Sequence, residues 1–189
     1  MPGTPLRRLL VPALAIALLA AGCGGDGNGN GGSDETVSPT DWANDLCGAI
    51  TTWTGSLTSA TEAVRGGNVS KESLQSAADD VESATKRFTD ELDDLGKPDI
   101  EAGQQAKDLL DGLKDDLSAD LQEIENTVDG VSGLNEVVSA VSAVGGTLQK
   151  MGRQVSSTVQ ELDQLDASNE LEEAFQEADN CSELRSSGG

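Results

Sequence analysis

The chain reads as all-α, an antiparallel up-down four-helix bundle with a short fifth C-terminal helix. Three observations lead there. Apolar residues recur every three to four positions over four long stretches, the spacing that places them on one face of a helix. Gly, Asn and Pro clusters at 66–68, 96–98 and 130–133 separate those stretches. Apolar–polar alternation never persists beyond a few residues, so strands are not expected.

The first helix follows Ser38-Pro39-Thr40, with Thr40 as its N-cap ahead of Asp41. Trp42, Leu46, Ile50, Trp53, Leu57, Ala60 and Val64 form its stripe, which stops at Gly66-Gly67-Asn68. A second helix begins near Ser70 and aligns Leu74, Ala78, Val81, Thr85, Phe88, Leu92 and Leu95 before Gly96-Lys97-Pro98 ends it. The third runs from Pro98 to Val128 through Ala106, Leu110, Leu113, Leu117, Leu121 and Ile124. After Gly130–Gly133 the fourth extends from Leu134 to Leu165, carrying Val137, Val141, Val144, Leu148, Met151, Val155 and Leu162. Gly145-Gly146 within it marks a bend or a close helix contact. A fifth segment, Ser168 to Cys181, places Leu171, Phe175, Ala178 and Cys181 on one face, and residues 182–189 read as a frayed, disordered tail.

Four helices of roughly 25 to 32 residues, each about 38 to 48 Å long, match in length and so favour a bundle. Short connections make neighbours antiparallel, and four such passes bring the fifth segment back toward Cys47.

The N-terminus has a different character. Arg7 and Arg8 precede an apolar run from Leu9 to Ala21, a secretory pattern too short to span a bilayer comfortably. That run closes on Leu19-Ala20-Ala21-Gly22-Cys23, which resembles the lipobox of bacterial lipoprotein precursors, with Ala20 standing where Leu, Val or Ile is usual. The resemblance implies lipid on the Cys23 sulfur, cleavage before it, and a location on the extracytoplasmic side of the cell membrane. Two or more acyl chains anchor far better than one. The richness in Ala, Asp, Gly and Val with few Lys is similar to that of small exported lipoproteins of high-GC Gram-positive bacteria. The domain plan is then a signal peptide over 1–22, a lipidated Cys and Gly/Asn/Ser tether over 23–39, and an acidic bundle over 40–181. The tether, from Gly24 to Ser38, spans roughly 20 Å as a flexible coil.

Removing residues 1–22 takes Arg7 and Arg8 from the twelve basic residues and none of the 34 acidic ones, so the formal charge moves from −22 to −24. Such a body is a poor match for nucleic acid and stands off anionic headgroups. With Cys23 lipidated, Cys47 and Cys181 remain in an oxidising setting as a candidate disulfide. Two buried free thiols are the alternative, and a metal site is the weakest because the chain has no histidine.

Asp26 to Asp34 imitates the front of an EF-hand loop, with Gly31 at the sixth position, but Val37 stands where a bidentate Glu is needed. It reads as linker. The pairs Asp79-Asp80, Asp93-Asp94, Asp115-Asp116 and Glu172-Glu173 flank apolar stripes as solvated faces. The absence of His removes the di-metal helical-bundle centre and the usual base for a Ser or Cys nucleophile. Paired carboxylates working on a sugar would want aromatic platforms, and the chain has two Trp, two Phe and no Tyr. Trp42, Trp53 and Phe88 are the candidate lining of a ligand pocket, with core packing as their commoner use. Asn68 and Asn180 sit in sequons that a bacterial setting makes fortuitous.

No catalytic residues, metal or cofactor are therefore expected. The sequence points to a non-catalytic interaction or spacer module at the envelope, whose partner is another protein or a wall component. The alternatives are a small-ligand or lipid carrier using the bundle interior, and divalent-cation binding by acidic faces. An interior cavity lined by Trp53 and Phe88 would favour the carrier, and a solid core with an exposed apolar patch would favour the interaction module.

Overall fold

The computed structural model describes residues 36–66, 70–165 and 169–187, without side chains at 63–66, 134 and 185–187. The signal segment, Cys23 and most of the tether lie outside the described residues.

Helix α1 (Pro39–Gly66) starts two residues earlier than its sequence signal. Ser38 Oγ accepts the Asp41 N–H at 3.2 Å and donates to the Asp41 carboxylate at 2.7 Å. Ser38, not Thr40, is thus the cap. Pro39 explains the shift, because its fixed φ suits the first helical position and its missing N–H would have no partner there anyway. Helix α2 (Lys71–Asp94) begins where expected, with Ser70 and Ser73 in a reciprocal capping box.

Gly96, at φ 65°, turns the chain out of α2 in the left-handed region that glycine adopts without strain. The next residues form a short β-ladder that had not been expected. Strand β1 (Thr36–Val37) pairs in parallel with β2 (Lys97–Pro98), and the Asp99 N–H donates to the Val37 carbonyl at 2.8 Å. Two residues are too few to show a period in sequence. This ladder also delays α3 (Gly103–Asp129) relative to the start expected at Pro98. The Pro98 carbonyl folds back so closely that a Cβ on Gly103 would lie 2.2 Å from it, so only glycine fits.

Lys71 Nζ reaches across to donate to the Val131 carbonyl at 2.6 Å, just past the end of α3. Helix α4 (Leu134–Asp163) opens after Ser132, whose N–H and Oγ both donate to the Glu136 carboxylate. The expected single fifth segment, 168–181, is divided. Helix α5 (Glu170–Glu177) ends at Ala178, whose ψ of 124° is extended, and α6 (Asp179–Ser187) follows. Residues 182–187, expected to fray, are helical. Asn180 explains this, since its N–H and Nδ2 donate to Asn44 Oδ1 and the Asn44 carbonyl of α1 at 3.1 and 3.0 Å.

The described residues are predominantly helical. Helix α1 packs extensively on α2, and α3 on α4; α2 also meets α3, while α5 and α6 lie against α1. Trp42, Leu46, Leu74, Phe88, Leu117, Ile124, Met151, Leu162 and Leu171 are fully buried in one continuous core. A disulfide joins Cys47 of α1 to Cys181 of α6.

Candidate functional site: a groove between α1 and α4

Helices α1 and α4 touch sparingly, and the seam between them is an open groove of about 960 Å³. On the α1 side it is lined by Ile50, Trp53, Leu57 and Thr54, Thr58 and Thr61, and on the α4 side by Gly145, Leu148, Gly152, Val155 and Val159, among others. These positions recur at three- and four-residue spacing, so each helix turns one continuous face to the seam. Ile50 to Glu62 extends about 18 Å along α1, and Gly145 to Gln160 about 22 Å along α4. Among the described lining residues only Glu62 is ionisable.

A signal for this groove exists in the sequence. From Leu46 to Thr61, and again from Val137 to Gln149, the chain has no Asp, Glu, Lys or Arg, although it carries 46 such residues among 189. Helical periodicity alone did not single out those stretches. Gly145 and Gly146 lie within the continuous helix α4 and make no close contact: a Cβ at either, or at Gly152, would meet no atom within 4 Å. Gly145 and Gly152 instead leave the groove wide.

Of the three residues proposed as pocket lining, Trp53 is the one found at the groove. Trp53 lies at the groove floor, stacked on Phe88 with ring centroids 5.1 Å apart, and its Nε1 donates to Thr85 Oγ1 at 3.1 Å. Phe88 lies behind it in the core and is not part of the groove lining. Trp42 is fully buried elsewhere, edge-on to Phe175 at 6.3 Å, with no hydrogen-bond acceptor for its Nε1 among the described residues. The interior is therefore filled where those aromatics sit, and the open space lies at the seam.

A second feature escaped the sequence reading. Asp120 is fully buried on α3, and Lys150 of α4 donates to its Oδ1 at 2.5 Å, while Oδ2 has no partner among the described residues. The hydrogen bond to Asp120 raises the Lys150 pKa above its ordinary value. Asp120 falls three residues after Leu117 on the apolar stripe, a position where a carboxylate stands out. It ties α3 to α4 from within. Of the acidic pairs, Asp93 is engaged by Lys114, which also donates to Asp111 at 2.8 Å.

Among the described residues no three His, Cys, Asp or Glu side chains are placed to hold a metal ion, and no helix is long and apolar enough to cross a membrane. No protein-family model matches the chain, and no curated protein or solved structure shows significant similarity to it.

Proposed function

We propose that this protein is a non-catalytic interaction module, held at the outer face of the cell membrane by lipid on Cys23, that engages another envelope component through the α1–α4 groove. In this reading α1 to α4 form an antiparallel up-down four-helix bundle, with α5 and α6 returning to α1 and clasped there by Cys47 and Cys181. The short connections and the pairing of sequence neighbours support that arrangement.

One observation carries the functional reading: a groove almost free of charge on a chain of net charge −22. Solvated acidic surface keeps such a body soluble and apart from other acidic macromolecules. A long, nearly uncharged seam with an apolar floor is a local exception to that surface, and concave, mostly apolar sites of this kind receive ligands and partners. Trp42 and Phe88, packed into the core, support docking at the seam over a carrier that uses the interior.

The test is photo-crosslinking in cells of the native host, with a photoreactive amino acid at Thr58 or Gln149 in the groove and at Gly112 on α3 as control. Adducts should form from Thr58 and Gln149, be absent from Gly112, and disappear when Cys23→Ala removes the anchor. Equal labelling from Gly112, or no adduct from either groove position, refutes the module.

A further inference from the structure

We propose that the α1–α4 groove holds the acyl chains of a diacyl lipid whose headgroup is uncharged or zwitterionic. The inference rests on the groove being the docking surface and identifies its occupant by the chemistry of the lining.

Thr54, Thr58 and Thr61 donate their hydroxyls to the carbonyls of Ile50, Thr54 and Leu57 at 2.8, 2.9 and 2.8 Å, and Ser156 donates to Gly152 at 2.9 Å. The hydroxyl residues of the lining have thus spent their donors on their own helices, which leaves Gln149, Gln160 and Glu62 as its remaining polar side chains. Methyl groups and the apolar side chains of Ile50, Trp53, Leu57, Val155 and Val159 remain for an occupant, and such a surface favours hydrocarbon over groups that need hydrogen bonds.

Size agrees. A volume of about 960 Å³ lies at the upper end of small-molecule sites, and walls of about 18 and 22 Å match the length of extended acyl chains. The groove also adjoins a second, more enclosed void of about 80 Å³, sharing Thr61, Gly145 and Leu148 with it. Leu74, Val81, Val141 and Val144 surround that void. Chain termini can end there at no cost in hydrogen bonding, whereas a polar group would be stranded.

Charge sets the headgroup. With one carboxylate, Glu62, and no Lys or Arg among the described lining residues, and a net charge of −22 around it, the body opposes an anionic headgroup and offers no described cation to hold one. A peptide helix docking on so acidic a body would be guided by its own cations to carboxylates along the rims of the site. The groove lining supplies a single one.

Trp53 makes the proposal directly readable. The whole chain carrying Cys23→Ala, which removes the protein's own acyl chains as a source, is mixed with vesicles of phosphatidylcholine brominated on its acyl chains. Fluorescence of Trp53 should be quenched relative to unbrominated vesicles, and the quenching should vanish in Trp53→Phe and persist in Trp42→Phe. Gly145→Leu and Gly152→Leu, placed where a side chain meets open space, should each keep the melting temperature and abolish quenching. Gly112→Leu should leave it intact. Quenching that survives both groove-filling variants, or that is stronger with brominated phosphatidylglycerol, overturns the proposal. Absence of quenching together with protein adducts from Thr58 and Gln149 also overturns it, making the groove a protein-docking surface and leaving the interaction module standing.

Discussion

Replacing both Cys47 and Cys181 by Ala removes a bridge that spans 134 residues of sequence. For a loop of that length, restriction of the unfolded chain amounts to about 5 kcal/mol at 25 °C. Both sulfurs are buried, so the exchange also forfeits a little packing, but the loss of Sγ is small beside the loop contribution. Domains are stable by only about 5–15 kcal/mol in total, so the variant should lose a third or more of its stability. At about 2–4 °C per kcal/mol for a body of this size, the melting temperature should fall by roughly 10–20 °C. Urea titration followed by circular dichroism, wild type beside the double variant, is the assay. The midpoint should move down and the slope should steepen, because an uncrosslinked chain exposes more surface on unfolding. A loss under about 1 kcal/mol with an unchanged slope would refute the argument. It would mean that the Asn44–Asn180 hydrogen bonds and the packing of α6 hold the chain ends together without covalent help, even in the denatured ensemble.

Two glycines should respond oppositely to the same substitution. Gly103→Ala drives a methyl into the Pro98 carbonyl and should cost about 1–3 kcal/mol, whereas Gly112→Ala meets open space mid-helix and should gain up to about 1 kcal/mol. Equal effects in denaturant titrations would contradict the close approach at Gly103. The Asp111–Lys114 pair should shape stability at both pH extremes. The hydrogen bond from Lys114 holds the Asp111 carboxyl below 3.8, giving stability that is present above that value and lost as pH falls through the folded pKa. Burial pulls Lys114 down, but hydrogen bonds to Asp111 and Asp93 outweigh it and hold the amine above 10.5, giving stability that is present below that value and lost as pH climbs through the folded pKa. Melting curves of Lys114→Met across pH should be flatter than wild type at both ends, and parallel curves would remove the pair from the account.

What the sequence made legible is what repeats locally. The stripes from Trp42 to Ala60, Leu74 to Leu95 and Ala106 to Ile124 are buried as periodicity required, apart from half-buried Leu57 and Ala78, because each helix meets the core along one face. Cys47 and Cys181 were legible as the pair left after Cys23. What escaped notice depends on residues distant in sequence. Thr40 looked like a cap until Pro39 is seen at the first helical position, with Ser38 bonded to Asp41. Pro98 is a plausible first helical residue until its strand pairing with Val37 holds it outside α3. Residues 182–187 have weak helical character, and it is Asn44, more than 130 positions away, that organises them. The groove was visible only in part. Its stripes were read as core on every helix, but α1 and α4 do not close on each other, and periodicity cannot say which face stays open. Trp42, Trp53 and Phe88 have the same signature in sequence and all three are buried, yet of the three only Trp53 lines the groove.

The Cys47–Cys181 bridge also governs how the domain responds to tension. A pull applied between the two ends of the described chain extends only the segments before residue 47 and after residue 181, since the bridge carries the load directly from α1 to α6. The sequence separation of 134 amounts to about 450 Å of contour that force cannot draw out while the bridge is intact. The β1–β2 ladder and the first turns of α1 would yield in one short step. The α1 and α4 walls of the groove lie inside the protected loop, so strain transmitted along the backbone from the chain ends stops before it reaches them, while Leu184 of α6, which also lines the groove, lies beyond the bridge.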